Sequence, residues 1–173
     1  SDSSSLPPSV RGALLAKHWS LGNRDDTAWK WYRVSAEDML KSGAPKDATD
    51  LMKRAIASAE RAKVLPEVEG LLHARIAWMY STTQSLYAET LEHGYLSLEM
   101  LGYPPPKKVT KGMVLKEMLI TISGAGERAG KWRLERSGLR PELWPDLVRV
   151  CVAMGRAIVL TGTNRSNHHF NRM

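Results

Sequence analysis

From Val10 to Gly102 apolar residues recur at steps of three and four, and no stretch shows the alternation of a half-buried strand. That periodicity constrains the chain more than any other feature, because a helix-period pattern cannot bury its apolar stripe as a sheet. Breakers divide the run into five helices. The first is predicted from about Val10 to Leu21, ending at Gly22-Asn23, and the second from Asp25-Asp26 to Ser42-Gly43. The third opens at Pro45-Lys-Asp47 and runs to about Val64. A fourth follows from Pro66 to about Thr83, and a fifth from Leu86 to Leu101, closed by Gly102. Connections this short make successive helices antiparallel neighbours.

Within this train a spacing recurs: a small residue, a bulky one four later, a small one three after that. Ala28/Tyr32/Ser35 and Ala48/Met52/Ala55 carry it, with a weaker copy at Thr90/Gly94/Ser97. Small residues at these steps let helices approach closely while the larger one fills the groove between them. The expected fold class is therefore all-α, with antiparallel helix hairpins stacked as a short solenoid. The pattern resembles tetratricopeptide repeats. It is most similar to the helical repeat region that follows the nucleotide-binding module in STAND-type predicted ATPases and class III adenylate cyclases. The residues that carry the resemblance are Leu14 to Glu60 and the segment HGYLSLEMLGYPPP, His93 to Pro106. Two departures stand out: extra residues between paired helices, and no proline near the end of the first repeat. The resemblance implies a regulatory or sensor segment of a larger signalling protein, non-catalytic in itself, that binds a partner protein or peptide.

The chain divides into three parts by composition. Residues 1–9 are rich in Ser and Pro and read as a linker or tag; 10–103 are the repeats; 104–173 are a basic helical extension. The net charge of +7 resides in the last part: residues 1–103 hold 12 Lys+Arg against 13 Asp+Glu, and 104–173 hold 13 against 5. Three prolines, Pro104 to Pro106, make the break. Helices are predicted over about 112–122 and 145–160, the second apolar at Leu147, Val150, Cys151, Met154 and Ile158. Between them lies a Gly/Arg-rich stretch, and the chain closes on a polar segment after Thr161. A repeat array without a polar terminal cap exposes its last apolar face, so the chain is expected to be part of a larger one, or to be covered there by a partner.

Nothing in the sequence resembles a catalytic constellation. Gly124-Ala-Gly126-Glu-Arg-Ala129-Gly130 superficially fits a dinucleotide fingerprint, but no βαβ context surrounds it, so no cofactor is expected. The five histidines form no His-x3-His pair, and the nearest acids are not at ligand spacing. They are expected to be structural or solvated, with no metal. The one cysteine, Cys151, excludes an intramolecular disulfide and a multi-thiolate metal site, and is expected to be a buried, inert thiol. It suits a reducing, cytoplasmic setting. No apolar run is long enough to span a bilayer. A nucleophile elbow, a P-loop and an acid-rich metal loop are all absent from the sequence, and no enzymatic activity is expected.

Binding residues are sought instead among aromatics and bases. Six Trp stand against one Phe, and Trp29 and Trp31, two apart, cannot share a helix face. One of them is expected to point outward as an anchor for a bound peptide. The basic cluster includes Lys107, Lys108 and Lys111, then Trp132 interleaved with Arg133 and Arg136. An aromatic among bases is also how single-stranded nucleic acid is gripped. Nucleic-acid binding by the basic part is thus the alternative to a protein partner, though no RNP motif, KH loop or helix-turn-helix supports it. A helical enzyme with a site assembled from scattered residues is the third class; it requires a pocket with convergent acids or histidines.

Overall fold

A computed structural model describes residues 6–103 and 143–161. The described residues are all-helical, with no strand. Six α-helices follow in chain order: α1 Pro8–Leu21, α2 Asp25–Lys41, α3 Pro45–Arg61, α4 Pro66–Met79, α5 Tyr87–Met100 and α6 Trp144–Thr161. A π-helical turn, Tyr80–Gln84, continues α4 before the chain reaches α5. Each of the first five helices packs on the next in the chain, and α6 returns to pack on both α4 and α5.

The helix boundaries follow from local chemistry. Proline opens α1, α3 and α4, where its missing N–H costs no intrahelical bond. Asp25 and Asp26 begin α2, and Glu67 and Glu69 lie in the first turn of α4, complementing the positive end of the helix dipole. After α1 the left-handed position is taken by Asn23 (φ 56°), after α2 by Gly43 (φ 83°). The third helix stops at Arg61, not Val64, because Lys63 adopts φ 51°. A lysine in that region gives little warning in the sequence, since its side chain favours helix. The fourth helix stops at Met79 because the chain widens into the π turn. Gln84 at the end of that turn donates from Nε2 to Pro45 O (3.1 Å) and Thr49 Oγ1 (3.0 Å), pinning it to the start of α3.

Two cores result. The first lies between α1, α2, α3 and α4, built on Ala28, Tyr32, Ala36, Ala48, Met52, Ala55, Ile56, Leu72 and Ile76. The small-bulky-small spacing read from the sequence supplies its centre: Ala28, Tyr32, Ala48, Met52 and Ala55 are all buried here, and Ser35 is buried beside them. The second joins α4 and α5 to α6 through Ala74, Ala77, Leu91, Val150, Met154 and Ala157. Here Gly94 lets α6 come close: a Cβ at that position would stand 2.5 Å from Met154 Cγ.

That close approach overturns two expectations about the last helix. Its inward face is Val150, Ala153, Met154 and Ala157, so Cys151 and Ile158 point outward. Cys151 is therefore exposed, not buried; its immediate surroundings still desolvate the sulfur enough to raise the thiol's pKa. The buried residues follow one another at steps of three and four, a stripe that leaves Cys151 and Ile158 on the outer side, and Met154 fills the space that Gly94 leaves open. Polar contacts fix the same helix. Arg75 on α4 is paired with Glu37 on α2 and lies 3.9 Å from Asp146 on α6, which Arg149 also meets at 3.2 Å.

Candidate functional site

Two places in the described structure combine accessibility with chemistry. The first is an open groove of about 320 Å³ between α1 and α3, floored by the edge of α2. Val10, Ala13 and Leu14 line it from α1, Met39 from α2 and Leu51 from α3. Charged residues rim it: Lys17 on one side, Asp47, Asp50 and Arg54 on the other. All four α1 residues lie on one face because they are spaced three and four apart. The opposing stripe of α1, Gly12 and Ala16, is spent against α2. Leu14 is 45% exposed at the mouth of the groove. An apolar trough with both signs of charge on its rim suits an amphipathic segment of polypeptide.

The tryptophans expected to anchor a peptide stand elsewhere. Trp29 is half-buried against the first core, with Lys30 Nζ 5.7 Å from its ring centroid. Trp31 is exposed and leans toward Gly12 of α1. Neither lines the groove. Lys107, Lys108, Lys111, Trp132, Arg133 and Arg136 lie outside the described residues, as do the glycine-rich segment 124–130 and the expected helix 112–122.

The second place is a line of titratable side chains that crosses α3, α4 and α5. At one end the exposed Lys53 of α3 lies over Tyr80, its Nζ 5.8 Å from the ring centroid. Tyr80 stacks against His93 of α5, centroids 5.8 Å apart. His93 then meets His73 of α4, with Nδ1···Nδ1 2.7 Å and the rings stacked at 5.0 Å. At the outer end, ligand atoms of His73, Glu69 and Glu60 all lie within 4.8 Å of one another. Burial falls outward along these three: His73 is buried, Glu69 half-buried, Glu60 exposed.

The electrostatics of this line follow from burial. Desolvation lowers both histidines to a pKa of about 4; the neighbouring ring adds to the effect at His73, and the charge of Lys53 adds to it at His93. Both rings are therefore neutral near pH 7, and a 2.7 Å contact between two Nδ1 atoms then needs one to donate and the other to accept. Glu69 is shifted the other way. Partial burial raises its pKa, and the nearby carboxylate of Glu60 raises it further. Two acids and an imidazole thus converge at the α3–α4 corner with negative charge to spare.

Part of this was visible in the chain. Glu69 precedes His73 by four residues on one helix, a spacing that puts both on the same face. Leaving His73 without an acid at ligand spacing was therefore incorrect. Glu60 and His93 come from α3 and α5, and only the packing of the hairpins brings them in. No family model, no curated protein and no solved structure matches the chain.

Proposed function

We propose that the chain is a non-catalytic, tetratricopeptide-like helical scaffold that receives a peptide or protein partner in the groove between α1 and α3, and serves as a regulatory segment of a larger signalling protein. The groove carries this reading: its apolar floor is open to solvent, and its rim offers Lys17 and Arg54 to acidic groups and Asp47 and Asp50 to basic ones. Such a trough favours an amphipathic helix, with apolar side chains inward and charges along both flanks. Apolar surface left in the floor, not in a deep pocket with convergent acids, sets it apart from an active-site cleft.

Leu14→Lys tests the reading directly. Leu14 is exposed, so the substitution leaves the core untouched, and it places a long charged chain across the floor beside Asp47 and Asp50. Selection of a random peptide library on the wild-type chain is expected to enrich amphipathic sequences whose binding is lost on Leu14→Lys, by about tenfold or more. A library that enriches equally on both chains would sink the groove as the binding surface.

A further inference from the structure

The acid and imidazole cluster at the α3–α4 corner has no part in that groove. We propose that Glu60, Glu69 and His73 form a binding site for a first-row divalent transition-metal ion, with Zn²⁺ the best fit to the donor set. The argument begins with His73, whose ring is 96% buried by position, being only 4% exposed, and whose Nδ1 is committed to His93 at 2.7 Å. Nε2 is the nitrogen left over. When His73 Nδ1–H donates to His93, Nε2 carries a lone pair, the form in which imidazole ligates a metal. An imidazole whose second nitrogen is held by a hydrogen bond is the usual arrangement behind a metal-bound histidine.

The carboxylates complete the set. Glu69 stands one helical turn before His73 on α4, and Glu60 reaches in from the end of α3. Ligand atoms within 4.8 Å must draw together to about 3.4 Å around a tetrahedral zinc with bonds near 2.1 Å. Glu60 is exposed and Glu69 half-buried, so two flexible side chains make that movement while the buried ring stays fixed. The imidazole in the set favours a first-row transition metal over calcium or magnesium, which prefer all-oxygen ligands, and the set holds no thiolate to select copper(I). The ion would neutralise two acids whose ligand atoms already stand within 4.8 Å of each other. With three protein ligands and Glu60 exposed, water would complete a four-coordinate zinc. Bound there, the metal clamps the end of α3 to the second turn of α4, across the left-handed Lys63 turn.

The test is a zinc titration by calorimetry on the full chain carrying His168→Ala and His169→Ala, which removes the adjacent tail histidines as competing ligands. After chelator treatment it is expected to bind one Zn²⁺ in the micromolar range or tighter, and to melt about 5 °C higher with saturating zinc. Mg²⁺ at the same concentration is expected to leave the melting temperature unchanged. Glu60→Gln with Glu69→Gln retains side-chain volume, and circular dichroism verifies that the variant is folded. It is expected to weaken zinc by about 100-fold or more, beyond the 10- to 100-fold loss expected for His93→Gln, which disturbs only the orientation of His73. Absence of saturable zinc binding overturns the proposal, as does an unchanged affinity in the folded double-Gln variant.

Discussion

Ser35 carries a hydroxyl into the tightest part of the α1–α2 contact: it is 1% exposed, and its Oγ has no hydrogen-bond partner among the described residues. A Cβ on Gly12 would stand 2.3 Å from that oxygen. A buried hydroxyl without a partner costs stability, so Ser35→Ala is expected to raise the unfolding free energy by about 1 kcal/mol, read by urea denaturation. At Asp25 the polar group is well served. Arg61 donates from Nε and Nη2 to its two oxygens, both at 2.9 Å, and Nη2 also meets Ser58 and Ser20. The Arg61 hydrogen bonds hold the carboxyl below its ordinary value. Its folded pKa is depressed, so the contribution is complete above the unfolded value of about 3.9 and fades as pH falls through the folded one. Asp25→Asn is expected to cost about 1 kcal/mol at pH 7. The difference from wild type should shrink toward zero as denaturation is repeated at successively lower pH below 4; a gap that stays constant would remove Asp25 ionisation as its source.

The helices themselves were the most legible layer. Gly22-Asn23, Ser42-Gly43 and Gly102 each mark an end found in the structure, because left-handed positions favour Gly and Asn. Lys63 and the π turn after Met79 carry no such mark, and there the sequence reading overran by three or four residues. Faces were harder than ends. On α6 the large residues suggested Cys151 and Ile158 as core, but Gly94 on α5 admits a close neighbour, and the buried stripe became Val150, Ala153, Met154 and Ala157. That dependence on one glycine is testable. Gly94→Ala gains about 1 kcal/mol of helix propensity but intrudes on the Met154 side chain, at an overpacking cost of about 1–3 kcal/mol. The single variant is expected to be destabilised on balance. Combined with Met154→Ala, the added methyl should be tolerated, giving a favourable coupling in the double-mutant cycle. Additive effects would mean that α6 does not rest on Gly94.

At the scale of the molecule, two cores share α4: one face of it meets α3, and other positions meet α5 and α6. Glu37, Arg75 and Asp146 span the same divide as a chain of ion pairs from α2 through α4 to α6. No helix among the described residues is long and apolar enough to cross a membrane. The candidate metal site also depends on this scale, since Glu60 and His93 reach His73 only when three helices have packed. Helix α6 differs from the others in how it arrives. Among the described helices, each earlier one docks on a neighbour only a few residues before it, whereas residues 101–143 lie between α5 and α6. Bringing together elements far apart in sequence carries an entropic cost that local pairs avoid, and such distant contacts slow folding. The first five helices can therefore assemble as a local series, with Ala74, Ala77 and Leu91 still wet on one side. Docking of α6 on α4 and α5 is then expected as a separate, later event. In a growing nascent chain, that order leaves an adhesive flank on α4 and α5 until α6 is made.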